Sequence, residues 1–278
     1  MTDGPFPFAD CPVVDCHVHV FDPQRFPYRA DVAYQPVAAE TATAQQLDQV
    51  LDAHGVRHAL LVQPNSGYGP DNACLLDAIA RSGGRHKGVA IVATDASPDE
   101  LQALRAQGVV GAAFNVAMLG PEAVTPALLE RLRDAGLWAQ VQVQGDQLAA
   151  LRPLLEDSGA RLLVDHCGRP DPAGGVGQPG FQALLAMAAN GRTAVKLSSL
   201  VKCSAQAFPH ADAWPFAQAL VEAFAPDALV WASDWPFLRA PARIDYAPLL
   251  RLARRLLPDA ATRRAVLWDT PRRLFGFA

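Results

Sequence analysis

The sequence predicts one α/β domain over residues 1–278, folded as a distorted (β/α)8 barrel of TIM type. Three observations lead to this prediction. Eight short apolar runs alternate with amphipathic segments, a glycine follows nearly every amphipathic segment, and the composition does not change along the chain. Strands that alternate with helices are typical of a parallel sheet, and eight such units close into a barrel. An open doubly wound sheet is the alternative, but no G-x-G-x-x-G follows the first strand.

The elements follow from these patterns in chain order. The apolar runs predict strands over residues 13–21, 58–63, 86–93, 109–116, 137–144, 161–166, 194–200 and 229–234. Helices are expected between them, over residues 43–54, 71–82, 97–108, 125–135, 147–158, 180–190 and 212–224, and again beyond residue 234. The clearest helix start is at Ser97, because Pro98 follows it and Glu100 completes a capping box.

Charge and composition exclude several classes of protein. The net charge is −4 and the pI is near 5.9, so neither a nucleic acid nor an anionic membrane is an expected partner. No apolar run reaches the ~18 residues of a membrane-spanning helix, and residues 1–7 lack the basic and apolar regions of a secretory signal. Five irregularly spaced cysteines indicate reduced thiols and a cytoplasmic location. No pattern predicts an oligomeric state.

The first predicted strand carries two histidines, His17 and His19. Side chains at i and i+2 of a strand point to one face, so Asp15 is expected beside them and Cys16 on the opposite face. A buried imidazole needs a hydrogen-bond partner or a metal. The pair is therefore either structural or the first part of an active site.

Other polar residues follow the later strands, where barrel enzymes place their chemistry. His166 follows strand six and Asp234 follows strand eight. We predict that these two residues, together with His17 and His19, form the catalytic centre. The substrate-binding residues are expected to be Tyr34, Asn115, Gln142, Arg169 and Lys202.

Three segments together resemble a known family. D-C-H-V-H-V-F at 15–21, V-D-H-C-G-R-P-D at 164–171 and W-A-S-D-W-P at 231–236 are similar to the amidohydrolase superfamily. More narrowly, they resemble the amidohydrolase-2 branch that contains 2-pyrone-4,6-dicarboxylate lactonase and sugar lactonases. The resemblance covers the whole chain, including residues 34–36, 71–72 and 270–275.

This resemblance implies hydrolysis of a lactone or a similar ester. Asp234 matches the general base for water, while His17, His19 and His166 match residues that polarise the carbonyl or hold a metal. The chemistry agrees, because a carboxylate can accept a proton from water and cationic or metal-bound groups stabilise an oxyanion. We expect either no cofactor or one divalent metal ion held by these four residues, with Zn²⁺ as the first candidate. A binuclear site is not expected, since glutamines occupy strand five.

Departures from the family pattern bear on the substrate. The resemblance places two carboxylate-binding arginines of the lactonase at Ala113 and Leu119, whereas Arg169 is retained and Lys202 replaces a third. We therefore expect a less anionic lactone, bearing a carboxylate or hydroxyls, rather than the pyrone dicarboxylate. Two alternatives stay open: a metal-dependent decarboxylase or hydratase acting on an aromatic-catabolite acid, and a non-catalytic protein that binds a small acid.

Overall fold

The computed structural model describes residues 11–278 and confirms the predicted (β/α)8 barrel. Eight parallel strands form one sheet in sequence order. They are β1 Val13–Val18, β2 Val56–Val62, β3 His86–Ala90, β4 Val109–Asn115, β5 Trp138–Gln142, β6 Arg161–Val164, β7 Thr193–Leu197 and β8 Leu229–Trp231. That residues 1–278 form a single domain stays a prediction, and residues 1–10, where the absence of a secretory signal was also predicted, lie outside the described part.

Helices follow the strands as expected. They are α1 Ala44–Ala53, α2 Ala73–Arg81, α3 Pro98–Ala106, α4 Val116–Leu119, α5 Pro126–Asp134, α6 Gln147–Asp157, α7 Pro179–Ala186, α8 Trp214–Ala223, α9 Tyr246–Leu256, α10 Ala260–Arg264 and α11 Thr270–Phe275, with a π-helical turn at Ala265–Asp269. Short 3-10 turns occur at Ala38–Glu40, Pro121–Ala123, His166–Gly168, Pro172–Gly174, Met187–Asn190, Leu200–Cys203, Ala211–Ala213 and Pro226–Ala228. The predicted capping box of α3 is present. Within residues 11–278, no helix has both the length and the apolarity needed to cross a bilayer.

The apolar core has two layers. One fills the space between the barrel and its helices, and the other fills the barrel interior. The C-terminal segment closes the interior at the end where the strands begin, because Phe275 packs against Trp138 and Phe277 stacks on His58. The opposite end of the barrel is therefore left for polar side chains.

Strand β1 contains a bulge that changes which way its side chains point. Asp15 pairs with Ala59 of β2, and the next pair is Val18 with Leu61. Between these two pairs β1 advances by three residues and β2 by only two, so β1 contains one extra residue. Cys16 consequently packs in the barrel interior, and the imidazole of His17 also reaches groups inside the barrel. The predicted simple alternation, with Cys16 facing away from the histidines, is wrong for this reason.

The predicted strands are too long at their carboxyl ends. The chain leaves the sheet after Val164 and after Trp231, and His166 and Asp234 then adopt left-handed backbone conformations with φ of 53° and 67°. Residues other than glycine rarely adopt this backbone conformation, and those that do are concentrated at functional sites. These two residues thus lie on turns above the barrel.

The barrel closes between β1 and β8 at the same place. The backbone N–H of His19 donates to Trp235 O at 2.8 Å, and that of Asp234 donates to His17 O at 2.9 Å. The two ends of the sheet are thereby joined through the backbone of three predicted catalytic residues, His17, His19 and Asp234, together with Trp235.

Candidate active site

A cavity of about 640 Å³ opens at the carboxyl ends of the strands, a volume typical of small-molecule sites. It is lined by all nine residues that the sequence predicts for the site, namely His17, His19, Tyr34, Asn115, Gln142, His166, Arg169, Lys202 and Asp234. The structure therefore brings together side chains from the ends of six strands and from the loop after β1.

The centre of this cavity is the carboxylate of Asp234, whose side chain is only 5% exposed. Its Oδ1 lies 3.6 Å from His19 Nε2, 3.7 Å from His17 Nε2 and 4.0 Å from His166 Nε2. Three imidazoles thus point the same ring nitrogen at one carboxylate oxygen.

The other oxygen of Asp234 is held by two donors. Lys202 Nζ lies 2.7 Å from Oδ2, and the Ser199 hydroxyl also donates to it. Burial alone would raise the pKa of the Asp234 carboxyl, but Lys202 and the neighbouring His166 outweigh it and hold the pKa well below its usual range. Asp234 is therefore ionised at neutral pH, with Oδ1 left to face the cavity.

The remaining ring nitrogens of two histidines contact neighbouring groups of the fold. His19 Nδ1 lies 2.8 Å from Val62 O, and a carbonyl oxygen can only accept, so this nitrogen carries the proton. In neutral His19, Nε2 is then an acceptor that faces Asp234. His166 Nδ1 lies 2.9 Å from Ser198 Oγ, a hydroxyl that can donate or accept.

The two more deeply buried imidazoles of this centre, those of His17 and His166, are neutral at pH 7. Burial, reinforced by the charge of Lys196, lowers the pKa of His17 to about 4. Burial also lowers the pKa of His166 well below its ordinary value. The positive charges of this centre therefore come from lysines rather than from these rings.

Beneath His17 lies a buried polar group that the sequence-based site prediction missed. Lys196 of β7, Gln140 of β5 and Asp165 after β6 contact one another inside the barrel. Burial would raise the pKa of Asp165, but Lys196 and His17 outweigh it and lower the pKa. The signal in the sequence is a lysine inside the apolar run T-A-V-K-L, because a charge in a buried strand needs a partner.

A second missed acid, Asp15, joins the two strands at the barrel seam. Its Oδ1 accepts from Ser233 N at 3.0 Å, and its Oδ2 accepts from Tyr246 Oη at 2.7 Å. Burial raises the pKa of Asp15 to about 6. This carboxyl fixes the turn that leads into Asp234.

Two guanidinium groups supply uncompensated positive charge to the cavity. Arg169 lines it with a buried Nε that has no hydrogen-bond partner in the described structure. Arg239, which the sequence-based prediction missed, lines it from the loop after β8 and lies over Tyr34, 5.2 Å from the ring centroid. Within residues 11–278, no carboxylate forms an ion pair with either group.

Two sets of described residues have the donor types of a metal site, with ligand atoms within 4.8 Å of one another. They are His17, His19 and Asp234, and His17, Asp165 and His166. In the second set, the Lys196 ammonium already lies against Asp165 and His17, so a cation is present there. The first set fits one divalent ion in donor type and spacing. The contact of Lys196 with His17 opposes the use of His17 as a ligand, so the fit is incomplete.

The fold and the cavity define a barrel protein with a histidine and carboxylate centre at its strand ends. A sequence profile described as amidohydrolase matches residues 14–277, and the chain belongs to this family. It is 34% identical to a 4-sulfomuconolactone hydrolase of Rhizobium radiobacter, over 94% of this chain and 89% of the relative. It is 30% identical to a 2-pyrone-4,6-dicarboxylate hydrolase of Comamonas testosteroni, with the same coverage of 94% and 89%.

A solved structure supports the same relationship. It is a probable 2-pyrone-4,6-dicarboxylic acid hydrolase of Acinetobacter baumannii with citric acid bound. The TM-score is 0.83 at 27% identity, over 95% of this chain and 99% of the other. The family predicted from the three sequence segments is confirmed.

Proposed function

We propose that this protein opens a small anionic lactone by hydrolysis, with Asp234 as the general base for water. One observation carries the proposal: an ionised carboxylate directs a single oxygen at three imidazole nitrogens inside a ligand-sized cavity. The names of the two relatives, both lactone or pyrone hydrolases, support it.

The attacking water has a natural position between Asp234 and His19. Asp234 Oδ1 and, in neutral His19, Nε2 are both acceptors and lie 3.6 Å apart. A water that donates one proton to each acceptor keeps its lone pairs free for a lactone carbonyl. Fixing the orientation of a nucleophile in this way lowers the entropic part of the barrier.

The reaction then balances with residues of this chain. The water oxygen bonds to the carbonyl carbon while Asp234 Oδ1 accepts its proton, and imidazole N–H groups stabilise the resulting oxyanion. When the tetrahedral intermediate collapses, the ring C–O bond breaks and Asp234 returns the proton to the leaving oxygen. The product is a hydroxy acid.

We further propose that the substrate carries at least one acidic group. Arg169 and Arg239 bring two positive charges that no carboxylate of the described chain compensates. Arg239 supplies a guanidinium that the sequence-based expectation of a less anionic substrate did not include. Asn115 and Gln142 offer polar contacts to ring oxygens or hydroxyls, while Lys202 serves to hold Asp234.

We propose that the reaction needs no metal, because the Lys196 ammonium, which contacts His17 and Asp165, already supplies a positive charge to this centre. Zinc bound by His17, His19, His166 and Asp234 is the competing outcome of the test below. The buried free thiols of Cys16, Cys74, Cys167 and Cys203 support a reducing compartment, and we propose the cytoplasm.

The test is a panel of sulfonated, carboxylated and neutral lactones, offered to chelator-treated protein with and without added zinc. Ring opening is followed by proton release and by NMR of the product. We expect turnover without zinc and kcat/KM at least about tenfold higher for anionic lactones, the value of one charge-assisted hydrogen bond. Release of CO₂, addition of water without ring opening, or binding without turnover would each contradict the proposal.

A further inference from the structure

Lys196 is the most unusual side chain of the barrel interior, since it is a fully buried cation. Its Nζ lies 2.7 Å from Gln140 Oε1, 3.0 Å from Asp165 Oδ1 and 3.1 Å from His17 Nδ1. An ammonium group has three protons and no acceptor. The contacts with Gln140 and His17 have hydrogen-bond geometry and require an acceptor on the other side, whereas the contact with Asp165 Oδ1 is an ion pair.

The surroundings hold the ammonium in this position. Gln140 donates from its Nε2 to Asp165 Oδ2 at 2.9 Å, so its amide oxygen is the atom that faces Lys196. Lysine, amide and carboxylate thus form a closed ring of contacts. Lys196 has no other charged partner among the described residues, and it stays directed at His17 Nδ1.

This contact decides the tautomer of His17. If Nδ1 accepts from Lys196, the ring is neutral and its proton is on Nε2, the nitrogen that lies 3.7 Å from Asp234 Oδ1. The alternative places the proton on Nδ1, to be donated to Asp165 Oδ1 at 3.3 Å. It would also bring two donors, Nδ1–H and the ammonium, to within 3.1 Å of each other.

We propose that Lys196 is a positioning residue that fixes the proton of His17 on Nε2, which makes His17 a hydrogen-bond donor toward the substrate and not a metal ligand. The benefit to the reaction rests on the proposed lactone hydrolysis. The tautomer itself does not, because it follows from contacts within the protein.

The two histidines of the H-x-H segment then have opposite roles. His19 donates through Nδ1 to Val62 O, so in the neutral ring it presents an acceptor at Nε2. His17 presents a donor at the same ring position. Hydrolysis requires both, since the attacking water needs an acceptor and the developing oxyanion needs a donor.

The first experiment measures the tautomer in the wild-type protein. Nitrogen-15 NMR of the imidazoles distinguishes a protonated from an unprotonated ring nitrogen, and the His17→Gln variant assigns the His17 signals. We expect His17 to carry its proton on Nε2. A proton on Nδ1 in the wild type would overturn the proposal, and this result depends neither on a Lys196 variant folding nor on any lactone being turned over.

The second experiment compares metal affinity. Lys196→Met keeps the length of the side chain and removes the donor, so the His17 proton is free to move to Nδ1 and Asp165. We expect zinc, measured by equilibrium dialysis, to bind this variant at least about tenfold more tightly than the wild type. Removing a supporting partner behind a ligand histidine weakens metal binding by about this factor, and here the group removed is a donor that opposes ligation. Lys87→Met, at the opposite end of the barrel, is the matched control and should leave zinc affinity unchanged. The proposal would be contradicted if the wild type and Lys196→Met bound zinc equally tightly and if both lost zinc binding when His17 was replaced.

Discussion

Replacing Asp15 by asparagine should make the stability of the protein less dependent on pH. The Asp15 carboxyl is completely buried, and burial raises its pKa from 3.8 to about 6 even though Ser233 and Tyr246 donate to it. Asparagine keeps an acceptor oxygen for Ser233 N, and the Tyr246 hydroxyl can rotate to accept from the new amide. The variant should therefore fold with its contacts largely retained.

The size and the sign of the effect follow from this shift. A rise of about 2 pKa units corresponds to about 3 kcal/mol. Between pH 3.8 and about 6, the folded state holds a proton that the unfolded state has lost, so stability falls as the pH rises. The contribution of Asp15 is fully present below pH 3.8 and is lost through pH 6.

Urea unfolding of the wild type and Asp15→Asn tests this directly. The stability advantage of the variant should grow by about 2 kcal/mol between about pH 4.5 and pH 7.5. Asp95→Asn, at an exposed loop position, is the control and should show no such growth. A constant difference between Asp15→Asn and the wild type across this range would refute the reasoning.

The remaining predictions concern the cavity. Arg239→Gln should raise KM for anionic lactones by about tenfold with little change in kcat, and an unchanged KM would remove Arg239 from substrate binding. Tyr34→Ala should raise KM similarly, whereas Tyr34→Phe keeps the ring beneath Arg239 and should behave as the wild type. Lys202→Met should raise the pKa of Asp234, so the acidic limb of the kcat/KM profile should move to higher pH; a limb that does not move would contradict this. Chelation should leave activity intact, and activity that is lost with chelator and restored by zinc would show a metal enzyme.

The fold could be predicted because its signals are local. Each apolar run and each glycine that ends a helix can be recognised within a short stretch of sequence. The helix start at Ser97 likewise depends only on the residues next to it. Strand ends were less predictable. His166 and Asp234 follow apolar runs and resemble strand residues, but the turns that place them depend on contacts with other strands.

The candidate site also contains some residues that could be predicted from the sequence and others that could not. His17, His19, His166 and Asp234 could be chosen by residue type, because each follows or ends an apolar run. Lys196 could not be assigned to the centre, since its contact with His17 spans the barrel and exists only after closure. The inward orientation of Cys16 could not be predicted for a similar reason. It results from the bulge in β1, and that bulge is defined by the pairing of β1 with β2. Arg239 lies on a loop whose path no periodic pattern reveals.

The Asp234→Asn variant tests the role of the carboxylate most directly. Asparagine retains an acceptor for Lys202 but is a far weaker base. We expect kcat for the best anionic lactone to fall by about 10²–10⁴-fold, while calorimetry shows that the substrate still binds. Turnover within about twofold of the wild type, with Asp95→Asn as the matched control, would mean that another group activates the water.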